Sequence, residues 1–312
     1  MNYVNPFRSD KETTYEDVAY TMSYYREPTS LVGVTDEAYD EYDPATTYGV
    51  GDFCIIDDLK GIYRSSDVDN IGNFPPATET KWTFWSPINS YRMLAVDEFI
   101  GSQTTGDDIV MEYNFSNSSA WALVDVSFDL LLIEQIDNST GGVVWSETIS
   151  GSSYGASDYY EYFYKEMEDV TRIYRDGLVW LSDSTLRFTF TNGTAIGAIV
   201  MGLTTELGCT LYGTGLRFED TSTISKSDVT GFRTVKRYGN VRVLNVSVLF
   251  DTINFNNIAR KIEGIIGRNV LFIPTENDSF SEMITIGYFE AFDIPVEDEG
   301  KIETQSTIVG VI

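Results

Sequence analysis

WALVDVSFDLLLIEQI, residues 121–136, decides the fold class. Apolar and β-branched side chains alternate along it with no sustained helical stripe, which is the pattern of strands with a buried face. The same reading extends outward to DIVMEYNF (108–115), GVVWSETIS (142–150), LRFTFT (186–191) and AIGAIVMGL (195–203). The turn dipeptides Gly141-Gly142 and Asn192-Gly193 separate these runs, and no convincing helix lies between most of them. Strands spaced in this way predict a β-sandwich over residues 89–204, of a jelly-roll or galactose-binding-like kind.

The flanks read differently. Residues 205–312 carry CTLYGTGLRFE, RTVKRYG, NVRVLNVSVLF, NVLFIPT, MITIGYFEAFDIPV and TQSTIVGVI as strands. Among them NFNNIARKIEGIIG places Phe255, Ile258, Ile262, Ile265 and Ile266 at helical spacing, with Asn254 as N-cap and Gly267 as stop. That predicts an α+β domain with one helix on an antiparallel sheet. Residues 39–88 form a small domain of short strand pieces, TYGVGDFCIID and GIYRSS, closed by PPATETKWTFWSP. Residues 1–38 read as an arm with a weak helical hint in YEDVAYTMSYY, needing a neighbouring subunit to hold it. DYYEYFYKEMEDVTR reads as a strand followed by a helical turn.

Composition narrows function. With 48 acidic against 21 basic residues the chain carries a net charge of −27, which repels phosphate backbones and anionic lipid, so nucleic acid is excluded as a partner. There are no histidines, which removes Ser-His-Asp and Cys-His catalysis and the usual zinc ligands. The two cysteines, Cys54 and Cys209, read as buried free thiols. The first residues are polar rather than a signal peptide, and no apolar run approaches a membrane span, so membrane insertion is not expected.

The sharpest local signal lies in residues 42–85, YDPATTYGVGDFCIIDDLKGIYRSSDVDNIGNFPPATETKWTFW. It resembles the small chitin- and cellulose-binding modules of carbohydrate-binding families 5 and 12, on Tyr48, Gly51, Asp52, Gly61, Tyr63, Pro75 or Pro76, and Trp82. The resemblance implies a three-stranded module whose exposed rings stack on sugar faces. Trp85, with Phe74 behind it, is the candidate exposed ring, and Tyr63 and Trp82 complete the candidate set. Tyr48, Tyr63 and Trp82 serve equally as the core of so small a domain. The sequence departs from the family at SSDVDNIGN, which stands where the pair of stacking aromatics usually follows. An exposed coplanar pair of rings around Trp85 would mark a sugar platform.

From residue 89 onward the chain looks like virion proteins of tailed phages that carry such a module upstream, on NSYRMLAVDEFIGSQT, SDYYEYFYKEM, LGCTLYGTGLRF and GYFEAFDIPVEDEGKIETQSTIVGVI. This resemblance implies a non-enzymatic minor tail-tip or baseplate component. Such a component is assembled in the host cytoplasm, repeated around the tail axis and bound to other tail proteins. It implies no cofactor and no catalytic residues. A dedicated adsorption protein that binds cell-surface glycan is the alternative, and a tail-associated polysaccharide hydrolase a further one. Asp57-Asp58 and similar acid pairs arise without purpose among 48 acids and do not argue for the hydrolase. Asp67–Gly72 has the start of a calcium loop, yet Ile71 and Thr78 occupy ligand positions, so no metal site is expected. Arg233, Lys236, Arg237 and Arg242 form a basic cluster suited either to strand-edge protection or to docking on an acidic neighbouring subunit.

Overall fold

A computed structural model describes residues 16–22, 27–95, 101–116, 118–153, 159–164, 168–226, 233–236, 240–275, 277–295 and 300–311. The protein is mostly β, as its alternating runs require, with curled antiparallel sheets and one helix late in the chain.

The small module is a three-stranded antiparallel sheet of Phe53–Ile56, Gly61–Ser65 and Trp82–Pro87. Its strands are short because Asp57–Leu59 makes a 3-10 turn that Lys60 closes in the left-handed region, at φ 53°.

The middle region is sandwich-like and is built by bending long strands. Ser184–Thr191 and Thr194–Gly202 both run antiparallel to the same strand, Thr104–Asn114. Asn192 and Gly193, with φ of 58° and 46°, therefore turn a corner without reversing the chain. The neighbouring chain follows suit, since Leu130–Asp137 pairs with the first of these strands and Ala120–Ser127 with the second. The corner is braced by Asp108 Oδ1, which accepts from Asn192 N at 3.1 Å, and Asp129 Oδ2, which accepts from Asn192 Nδ2 at 3.0 Å. Gly141-Gly142, by contrast, closes a true hairpin, with Asp137 opposite Gly142. The two leaves enclose Met111, Tyr113, Leu123, Leu131, Ile133, Phe190 and Ile199, and Trp121 meets Phe188 across them edge-on at 5.3 Å. Tyr159–Tyr164 of the aromatic run is a short helix.

One leaf is buried on both faces, which is why AIGAIVMGL reads as a nearly continuous apolar run. Its second face, with Ala120, Ala122, Val124, Ala198 and Val200, shares a core with the C-terminal region. There the pairings close into a ring. Thr204–Thr210 pairs with Asn240–Asp251, which leads through Lys301–Gly310, Thr285–Asp293 and Val270–Ile273 to Glu16–Met22 and back to Thr204–Thr210. The expected arm thus contributes a barrel strand held by its own chain. YEDVAYTMSYY is not helical over Glu16–Met22, where Val18, Tyr20 and Met22 alternate along a strand. The helix spans Phe255–Ile265 and buries Ile258, Ile262 and Ile265. Asn254 does not cap it through its side chain, because the 3-10 turn Thr252–Asn254 leads in with helical dihedrals already set. Ile266 lies outside the buried stripe, exposed beyond the helix end. Gly267, at φ 76°, takes the chain away from it. No helix among the described residues is long and apolar enough to cross a membrane.

Candidate functional site

Alternation along Phe53–Ile56 divides the module into two faces. Cys54 and Ile56 turn inward. Cys54 packs with Tyr48 and Trp82 in a small core flanked by Tyr42 and Tyr63. Trp82 is 3% exposed, donates its indole N–H to the Asn73 carbonyl at 2.8 Å and meets Tyr48 edge-on at 5.1 Å. It is therefore a core residue and no sugar-stacking ring. Tyr63, half-buried, faces the same core and crosses Phe84 at 5.4 Å. Burial, and then Glu41, push the Cys54 thiol up to about 12, so it stays protonated and inert. Cys209 is only half-buried, which corrects the expectation of two buried thiols.

Phe53 turns outward, opposite Arg64, which in turn lies opposite Thr83. The register between the last two strands shifts at Ile62/Tyr63, leaving Trp85 as the extra residue of a β-bulge, a device that re-aims a side chain. Trp85 is 51% exposed, as its candidate role requires. Its ring lies 5.5 Å from that of Phe53 at 72°, and Phe53 stacks on Tyr39 at 4.8 Å. The Arg64 guanidinium sits 5.5 Å from the Trp85 centroid and 5.9 Å from that of Phe53. The rings around Trp85 cross steeply, so the coplanar pair is not formed. Phe74 is exposed but is placed against Tyr42, at 5.8 Å on the core side, and does not back Trp85. Phe53, Tyr39 and Arg64 were not singled out from the sequence. The alternation of Phe53 against Cys54 was the available signal for the first, and nothing local marks the other two.

The module is fixed to the sandwich by Asn89. Its side-chain amide donates to the carbonyls of Thr35 and Thr105, both at 2.8 Å, and its Oδ1 accepts from Thr105 N at 2.9 Å. Glu37 Oε1 accepts from Asn89 N at 2.6 Å and from Arg92 Nη2 at 2.8 Å. A buried amide satisfied on both sides fixes the orientation of what it joins.

The basic cluster does not act as one group. Arg242 is engaged within the chain, donating to the Glu282 carboxylate at 2.9 Å and lying 5.4 Å from the Phe218 ring, so it is not a free docking residue. Arg233 and Lys236 stand on the strand Arg233–Lys236, which pairs with Thr223–Lys226, and Lys236 is exposed. Arg237 lies outside the described residues.

A 320 Å³ pocket at the barrel end is lined by Glu206, Cys209, Asn257 and Lys261 among others. Burial raises the Glu206 carboxyl and lowers the Lys261 ammonium, each being countered by attraction to the other. Lys261 also donates to the Glu206 carbonyl at 3.2 Å. Among the described residues no three His, Cys, Asp or Glu side chains converge on a metal position. No known protein-family model matches this chain, and no curated protein matches it.

Proposed function

We propose that the chain is a structural, non-catalytic component of a tailed-phage tail tip or baseplate that presents a sugar-binding face to the host surface. The observation that carries this reading is the outward face of the module, where Tyr39 and Trp85 are exposed on either side of a half-buried Phe53, clasped to its support by Asn89. Exposed rings of this kind offer apolar faces to sugar C–H groups, and a firm clasp points them in one direction. The core shared between sandwich and barrel supports a mechanical role, since a rigid mount transmits position without flexing. The family resemblances of residues 42–85 and 89–312 supply the phage context and the expectation of several copies around the tail axis. Repetition raises the apparent strength of weak sites by roughly 10² to 10⁴.

Two measurements test the reading. Cryo-electron microscopy of particles produced with this gene intact should place the chain at the tail tip, and its absence from the purified particle would refute the structural role. Full-length chain displayed in many copies on beads should bind host surface polysaccharide and lose that binding with Trp85→Ala. Binding unchanged by the substitution would refute the assignment of this face.

A further inference from the structure

Arg64 stands out in a chain of 48 acidic residues. The other basic residues between 27 and 95 all meet a carboxylate: Lys60 with Asp57 at 3.2 Å, Lys81 with Asp67 at 3.4 Å and Arg92 with Glu37 at 2.8 Å. Arg64 is exposed and makes no ion pair or hydrogen bond among the described residues. Its neighbours are the Phe53 and Trp85 rings and the backbone at Gly51, where a Cβ would lie 3.6 Å from Nη2. The guanidinium is thus seated by packing while its own donors have no partner among the described residues. A planar guanidinium held against rings keeps its in-plane N–H groups available, and that fork matches a carboxylate with two parallel hydrogen bonds.

We propose that this face selects a saccharide bearing a carboxylate, a uronic or sialic acid unit, with the acid group on Arg64 and the sugar ring against Trp85. The inference rests on the sugar-binding reading above and goes further by naming the charge of the ligand. The 72° crossing of Phe53 and Trp85 favours one bent, charged unit over the flat ribbon of a neutral crystalline polysaccharide.

The test uses the full-length chain, displayed in many copies, against a panel of uronate- and sialate-bearing oligosaccharides, each paired with its methyl ester. Chitotriose and poly-glutamate complete the panel. The wild type is expected to bind at least one acidic saccharide about tenfold more tightly than its ester, the scale of one charge-assisted hydrogen-bond pair. Arg64→Met should erase that difference, so that acid and ester bind alike, and Trp85→Ala should abolish binding of both. Equal binding of acids and esters, or binding of chitotriose alone, would overturn the acidic preference and leave the sugar-binding reading standing. Poly-glutamate binding at the strength of the best saccharide would show that charge alone is read and overturn the saccharide assignment. No binding of any saccharide would overturn both readings together.

Discussion

Thr171 Oγ1, on the edge of the sandwich, donates a 2.6 Å hydrogen bond to Glu282 Oε1 on the barrel. The same carboxylate accepts from Arg242 at 2.9 Å and lies 3.8 Å from the guanidinium of Arg172, which is 4% exposed and donates to the Ile284 carbonyl. Burial, and then Arg242, lower the Arg172 value to about 10, while Glu282 works in the opposite direction. Nearby, Arg175 joins Glu147 of the sandwich to Asp278, both at 3.0 Å. An ionic seam therefore overlies the apolar core that the two regions share.

Replacing Glu282 with Ala removes the carboxylate that Thr171, Arg172 and Arg242 share. Breaking a fully buried pair costs about 3–5 kcal/mol. Glu282 is half exposed, so solvent screening reduces the expected loss to about 1–3 kcal/mol, read by urea or thermal unfolding.

The pH dependence follows from the same carboxylate. Burial pushes Glu282 up, but the Thr171 and Arg242 hydrogen bonds and the nearby guanidinium groups outweigh it and hold the value below the ordinary 4.5. A lowered folded value stabilises the protein fully above the unfolded value and is lost as pH falls through the folded one. The wild type should accordingly lose Tm below about pH 4.5, and Glu282→Gln, less stable at neutral pH, should show a shallower acid limb. Parallel acid limbs would remove Glu282 from the account.

At the other junction, Asn89→Ala removes its bonds to the carbonyls of Thr35 and Thr105 and from the amide of Thr105; both threonines are exposed, and the Thr105 carbonyl keeps its bond from Thr35 N at 3.0 Å. Each such hydrogen bond contributes about 0.5–1.5 kcal/mol net, and solvent reaches the freed groups, so a total of about 1–3 kcal/mol is expected. Small-angle scattering should also show a broader distribution of maximum dimensions as the module loosens. A compact profile with unchanged Tm would mean that other contacts hold it.

The two tryptophans of KWTFW should respond in opposite ways. Trp82→Ala removes the largest ring of a three-residue core and should cost about 3–5 kcal/mol, enough to unfold the module. Trp85→Ala alters a half-exposed ring and should leave Tm nearly unchanged. Cys54 reports the difference. In a Cys209→Ser background a thiol reagent should find the native thiol closed and the Trp82→Ala thiol open, with Trp85→Ala resembling the wild type.

Much of this was legible in the residues. Phe53 and Cys54 alternate visibly, the Phe255–Ile265 stripe predicts its helix, and the hairpin at Gly141-Gly142 forms where a turn dipeptide interrupts alternation. What was not legible is non-local. Asn192-Gly193 adopts the same left-handed dihedrals in a hairpin or a corner, and only the strands alongside decide which. Arg64 becomes distinctive because it meets no carboxylate among the described residues, which no local pattern encodes. Tyr39 lies before the module's first strand and joins its outer face only when folded.

The strand Glu16–Met22 gives the sharpest contrast between the two readings of the N-terminal region. It closes the barrel ring between Thr204–Thr210 and Val270–Ile273. Deleting residues 1–26 would leave those two strands as open edges whose unpaired backbone groups template association with other chains. The deletion should lower Tm and cause concentration-dependent aggregation. Supplying a peptide of residues 14–25 in excess should restore part of the Tm by refilling the gap. A held-by-neighbour arm predicts something else: a deleted chain that folds and stays monodisperse, failing only at assembly. Thermal unfolding with light scattering on the deleted chain, with and without the peptide, separates the two. An unchanged Tm would show that ring closure contributes little and that the strand's pairing matters only in the assembled state.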